Sequence, residues 1–219
     1  MIFSLSGSSL YPQNKPSSSS LTGFDGLQWG SSYKDAKERF RTLSASDEVS
    51  EPVSIIADTP EREIRVKRNK LVYRYEFYEK PEILANADNS QPEGKSDAQN
   101  SENAEPLAKS NQKVKNKPIP RLFMVESIFG YVPAEELYKK ISEKYGPRNG
   151  GNLDEKTNRG YYIWNLNRGT IIQWIDPYKK KPFSRSIYYV SKEIIDEIHV
   201  DFPKFQYSKE LKTIMNLLY

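Results

Sequence analysis

The sequence predicts an α+β fold, a mostly antiparallel, twisted sheet of about six or seven strands with helices packed mainly on one face. Two parts of the chain each read as a helix followed by three strands, suggesting two α-βββ half-repeats. A strand from Leu122 to Ile128 joins them, and one strand pair is linked by a turn short enough to require antiparallel neighbours.

The elements follow in order. Ser31 or Ser32 can cap a helix whose apolar residues Tyr33, Ala36, Phe40 and Leu43 recur at helical spacing, with Lys34, Lys37, Arg39 and Arg41 facing out. Pro52 to Asp58 carries Val53, Ile55 and Ile56, and Glu63 to Lys67 alternates Ile64 and Val66 with charged neighbours, as half-buried strands do. After a turn at Arg68-Asn69-Lys70, Leu71 to Tyr78 makes the longest strand, with Leu71, Tyr73, Tyr75 and Phe77 on one face. Beyond Leu122 to Ile128, Pro133 occupies the first position of a helix with Leu137, Ile141 and Tyr145 in register, and Gly146-Pro147 stops it. Tyr161 to Leu166 and Thr170 to Ile175 form a hairpin around Asn167-Arg168-Gly169. Ser186 to Val190 is a further strand, Ser191 caps a short helix through Ile198, and Ser208 caps a terminal helix with Leu211, Ile214, Met215 and Leu218 on one side.

Residues 1–20 read as a flexible arm, because Ser4 to Ser20 is rich in Ser, Gly and Pro and offers little to bury. The short apolar patch at Met1-Ile-Phe fits either the last part of a secretory signal peptide or an ordinary disordered N-terminus. Residues 82–117 contain no aromatic side chain, and their acidic and basic residues nearly cancel, so this segment is expected to be a disordered loop. The flank from Leu21 to Lys80 is too small to bury a core by itself, so residues 21–219 are expected to form one domain with that loop extruded.

Composition narrows the chemistry. With 33 Lys and Arg against 29 Asp and Glu, the net charge of +4 is well short of a dedicated nucleic-acid binder. The absence of cysteine excludes a disulfide framework, a thiolate metal site and a cysteine nucleophile. No window approaches the roughly 20 apolar residues of a membrane span, so no membrane insertion is expected. The single histidine, His199, lies near Asp196, Glu197 and Asp201, but this group lacks the ligand count of a zinc site and the loop glycine of a calcium site. A histidine meeting the dipole at a helix C-terminus accounts for it. Gly146-Pro147-Arg148-Asn149-Gly150-Gly151 follows a helix instead of a strand and lacks the Gly-Lys-Ser/Thr ending of a phosphate loop, so it reads as a helix cap and loop. No catalytic residue, metal site or cofactor is predicted, and the expectation is a protein that is not an enzyme.

The better signal is aromatic and basic. Tyr161, Tyr162, Trp164, Trp174, Tyr178, Phe183, Tyr188 and Tyr189 crowd a region that also holds Arg159, Arg168, Lys179, Lys180, Lys181 and Arg185. Strand alternation sends about half of these rings inward and leaves the rest on the other face or at loop ends. Interleaved Tyr, Trp and Arg is typical of protein interfaces and also suits single-stranded nucleic acid. A sheet with ordinary core rings and a solvated lysine turn is the plainer alternative. The small net charge favours a protein partner over nucleic acid, and the candidate partner-binding residues are Trp174, Tyr178, Lys179, Lys180, Lys181 and Arg185.

Gly23-Phe24-Asp25-Gly26-Leu27-Gln28-Trp29-Gly30-Ser31-Ser32 before a helix forms a Phe-x-Gly-x-x-Trp-Gly lead-in. Lys144-Tyr145-Gly146-Pro147 then precedes an aromatic hairpin through Tyr162-Ile163-Trp164 and Thr170-Ile171-Ile172. This pattern is similar to that of small exported bacterial proteins and specifies packing, not a reaction. With the Lys, Ile, Tyr and Asn richness and the Ser-rich start, the chain resembles the leptospiral flagellar-coiling protein B family, non-enzymatic components of the sheath around the periplasmic flagellum of spirochaetes. The resemblance implies a periplasmic location, contacts with the flagellar-coiling protein A and the flagellin core, and a role in filament curvature and motility. A periplasmic binding module or an envelope-assembly accessory protein is the alternative.

Overall fold

The computed structural model describes residues 20–45, 52–81, 118–201 and 208–219. The expected N-terminal arm up to residue 19 and the expected loop 82–117 lie outside the described residues. Ser20, at the end of that arm, forms a parallel bridge to Asn167.

The fold is α+β. Strands β1 (Gly23–Phe24) and β2 (Leu27–Gln28) form a two-stranded sheet around Asp25 and Gly26, both at positive φ. Eight longer strands follow: β3 (Val53–Thr59), β4 (Glu63–Arg68), β5 (Leu71–Tyr78), β6 (Arg121–Pro133), β7 (Gly150–Asp154), β8 (Arg159–Leu166), β9 (Gly169–Tyr178) and β10 (Lys181–Ser191). They make one sheet in the order β3-β4-β5-β6-β10-β9-β8-β7, two strands beyond the lower expected number. The helices are α1 (Tyr33–Ala45), α2 (Ala134–Tyr145), α3 (Lys192–Asp201) and α4 (Lys209–Leu218). The chain divides into two compact units, Leu27–Met124 in one and Met1–Gly26 with Val125–Tyr219 in the other, and β6 contributes to both.

In the unit Leu27–Met124, the Ser32 hydroxyl accepts a hydrogen bond from the Asp35 N–H at 3.1 Å, which makes Ser32 the N-cap of α1. The helix buries Ala36 and Phe40, and Phe40 lies 4.7 Å from the ring of Tyr75 on β5. Ile64, Val66, Tyr75, Phe77 and Leu122 complete the apolar layer. At roughly 25 cal/mol per Å² of apolar surface, each large side chain buried there contributes about 1.5–3 kcal/mol. On the edge strand β3 the register slips between Ile55 and Ala57, leaving Ile56 half exposed in a bulge that interrupts the edge. Beside it, the hydroxyl of Tyr33 donates to Asp58, and Lys37 pairs with the same carboxylate at 2.5 Å.

In the unit holding Val125–Tyr219, α2 starts one residue later than expected, at Ala134, with Pro133 as its cap. The helix ends where Gly146 takes φ 84°, as expected. The indole Nε1 of the fully buried Trp164 donates to the Gly146 carbonyl at 3.0 Å, which fixes the end of α2 over β8. The buried amide of Gln173 on β9 donates to the Ala134 carbonyl at 2.8 Å and to the Ser184 hydroxyl at 2.9 Å, so it points toward the start of α2. Its neighbours Ile172 and Trp174 therefore point to the opposite face, where they meet Ile214 and Leu217 of α4. Within this unit, α2 and α4 lie against opposite faces of β9. Consecutive burial of Ile171 and Ile172 records this arrangement.

The second helix-and-strand part has four strands after its helix, because Gly150–Asp154, expected to be loop, pairs with β8. The Asn149 side chain secures this turn: its amide donates to the Asn165 carbonyl at 2.9 Å, and its carbonyl oxygen accepts from the Asn165 N–H at 2.7 Å. Ser191 and Ser208 cap α3 and α4 through the N–H groups of Ile194 and Leu211. The ring of His199, in the last turn of α3, stacks on Tyr219 at 3.8 Å, and the Tyr219 hydroxyl donates to Asp196. Among the described residues no group of three or more His, Asp or Glu is placed to hold a metal, and no helix is long and apolar enough to cross a membrane.

Candidate interaction surface

Strands β9 and β10 pair from Gly169↔Ser191 to Tyr178↔Lys181, so Lys179 and Lys180 alone form the turn. Both have left-handed backbones, with φ of 50° and 62°. Two successive positive φ values define the turn that matches the twist of a two-residue hairpin, a turn normally filled by Asn-Gly. The Lys180 carbonyl accepts a hydrogen bond from the Asn158 amide at 3.4 Å.

Below the tip, side-chain alternation puts Trp174, Asp176 and Tyr178 on the α4 side of the strands, and Phe183 is paired with Asp176. Tyr131, near the end of β6, stacks on Tyr178 with ring centroids 4.0 Å apart and planes 14° apart. Phe183 meets both rings edge-on, at 6.3 Å from Tyr131 and 5.5 Å from Tyr178. The Arg185 guanidinium lies over Tyr131 at 5.0 Å and the Lys179 ammonium over Tyr178 at 5.4 Å. The sequence of groups is thus cation, ring, ring, cation. Each contact of a cation with an exposed ring is worth about 0.5–1 kcal/mol, comparable to an exposed ion pair and enough to bias a long side chain toward one position. Among the described residues Lys179, Lys180, Lys181 and Arg185 form no ion pair.

Of the six residues singled out in the sequence, Tyr178, Lys179 and Arg185 belong to this stack, and Lys180 and Lys181 adjoin it at the turn. Trp174 is differently engaged. Its ring stacks on Tyr161 at 6.1 Å, and it lines a cavity of about 140 Å³ with Ile172, Tyr188 and α4 residues Glu210, Ile214 and Leu217. The Tyr188 hydroxyl donates to Glu210 at 2.8 Å, and burial together with the carboxylates of Glu126 and Glu210 pushes its pKa far above the ordinary 10. Tyr188 is therefore held as a neutral donor. Tyr131, which is 44% exposed, was missed by sequence reasoning. An aromatic just beyond the buried run of β6 and after Gly130 was the available signal. No protein-family model, curated protein or solved structure matches the chain.

The stacked geometry limits what the surface can do. One face of each tyrosine lies against the other ring and a cation lies beside each, which reduces the ring surface left for stacking by a nucleobase or a sugar. What remains outward is positive charge on a framework with restricted rotamers, suited to a carboxylate-bearing surface.

Proposed function

We propose that the protein is a non-enzymatic structural component of the bacterial periplasm that acts by binding other proteins through the Tyr131–Tyr178 stack and the Lys179–Lys181 tip. The observation that carries this reading is the cation-ring-ring-cation stack at the end of the β9–β10 hairpin. Preordered aromatic and arginine side chains are favoured in interfaces because little rotamer entropy is lost on contact. The sequence resemblance supplies the setting: the sheath of the spirochaete periplasmic flagellum, with the flagellar-coiling protein A and the flagellin core as partners and filament curvature as the output. Co-sedimentation with isolated periplasmic flagellar filaments tests this. The wild-type chain is expected in the filament pellet, with Tyr178→Ala/Arg185→Ala largely in the supernatant at unchanged circular dichroism. A wild-type chain that stays in the supernatant overturns the sheath assignment.

A second reading, a periplasmic binding module or envelope-assembly accessory protein, is favoured by the cavity between β9, β10 and α4. Recovery of the native protein with outer membranes instead of flagella would select it.

A further inference from the structure

Resting on the partner-binding reading, we infer that the hairpin tip recognises an acidic polypeptide segment, with the ammonium groups of Lys179 and Lys180 and the guanidinium of Arg185 as the groups that meet its carboxylates. Three observations converge. The first is conformational: Lys179 and Lys180 occupy left-handed backbones at φ 50° and 62°, which side chains with a Cβ adopt at a cost and Asn-Gly adopts readily. Glu61 and Arg168 also have positive φ, but among the described residues only Lys179 and Lys180 place two non-glycine side chains in succession there, which projects two cations from the tip. The second is electrostatic: among the described residues the four cations at Lys179, Lys180, Lys181 and Arg185 are without an ion-pair partner, and Asp176 is the acidic residue nearest them in the strand pairing. The third is geometric: the Tyr131–Tyr178 stack holds one face of each ring against the other and sets Arg185 beside Tyr131 and Lys179 beside Tyr178. Carboxylates presented by a flexible chain fit all three, because they require only cations at set spacing.

The test uses the full chain and a fluorescein-labelled glutamate-rich peptide, with anisotropy read at low and moderate ionic strength. Lys179→Asn/Lys180→Gly removes both turn charges while keeping a turn-compatible pair. It is expected to weaken binding by about tenfold at low salt, and the difference should shrink as salt screens the charges. Lys67→Gln/Lys70→Gln removes the same charge from exposed positions on β4 and its turn and is expected to change affinity by less than about twofold. Equal losses in the two variants, or no loss in the first, overturn the inference. So does tighter binding of an oligothymidylate or of phosphatidylglycerol vesicles than of the peptide, which would assign the tip to nucleic acid or to a lipid surface. In the filament assay, normal pelleting of Lys179→Asn/Lys180→Gly alongside loss with Tyr178→Ala/Arg185→Ala would refute the acidic-tip inference and leave the partner-binding surface standing. Normal pelleting of both variants would remove the surface as well.

Discussion

Replacing the turn lysines by Asn-Gly should make the protein more stable, even though it removes two surface charges and one ring contact. Lys179 and Lys180 lie at φ 50° and 62°, where a non-glycine residue costs on the order of 1 kcal/mol relative to glycine and asparagine roughly half of that. Relief at both positions amounts to about 1.5 kcal/mol. Two effects oppose it: the greater freedom of glycine in the unfolded chain, about 0.5 kcal/mol, and loss of the Lys179 contact with Tyr178, about 0.5 kcal/mol. The net gain is about 0.5 kcal/mol. With a urea dependence of about 2 kcal/mol per molar, the unfolding midpoint of Lys179→Asn/Lys180→Gly should rise by about 0.2–0.3 M. Lys179→Gln/Lys180→Gln separates strain from charge, since it deletes the same charges and retains both Cβ atoms. It loses the Lys179 contact with Tyr178 without relief of strain, so its midpoint should fall by about 0.2–0.3 M. An unchanged or lower midpoint for the Asn-Gly variant, or an equal rise for the Gln pair, would refute the assignment of strain to this turn.

Three further outcomes are expected. Trp164→Phe removes the indole donor to Gly146 and leaves a void against α2, so it should cost about 2–3 kcal/mol and lower the thermal midpoint by roughly 4–10 °C. For Asp58, burial opposes ionisation, but hydrogen bonds from Lys37 and Tyr33 outweigh it and hold its pKa below the ordinary 3.8. The stabilisation is therefore complete above that value and is lost as pH falls through the lowered one. Urea titrations of wild type and Asp58→Asn should accordingly differ near neutrality and converge at the acid end. Gly151 has φ 111°, and an added Cβ would lie 2.3 Å from the Tyr161 carbonyl oxygen. Gly151→Ala should free β7 from β8, visible as faster hydrogen exchange at β7 amides with little change in the β9 amides.

Much of the fold was legible because local chemistry and tertiary role agree. Ser32, Ser191 and Ser208 cap the helices at or beside the positions their spacing indicated, and Gly146 ends α2 where a left-handed residue was needed. In β5, Tyr75 and Phe77 face the apolar layer as the alternation required. The misses have physical causes. Gly150-Gly151-Asn152-Leu153-Asp154 has almost no intrinsic strand preference, and β7 exists because β8 supplies its hydrogen-bond partners and Asn149 clamps the approach. Leu122-Phe123-Met124-Val125 lies in β6, within the expected strand, and all four residues are buried, so the run lacks the alternation by which a one-sided strand is recognised. The paired burial of Ile171 and Ile172 carried the same information about α4, which period-two reasoning alone discards.

The candidate interaction surface was legible as composition and illegible as arrangement, and the difference changes the chemistry proposed for it. Counting rings and cations between Arg159 and Tyr189 suggested exposed aromatic anchors surrounded by charge. Tyr131 enters from β6, far away in the sequence, and covers Tyr178, converting an anchor into a support. Trp174, the largest ring proposed to face a partner, is instead committed to Tyr161 and the α4 cavity. On the proposed reading the side chains left to meet another molecule are the cations, and the rings bias where Lys179 and Arg185 lie. Such a surface gains its specificity from the spacing of charge, so recognition should weaken with salt more steeply than recognition by buried rings would.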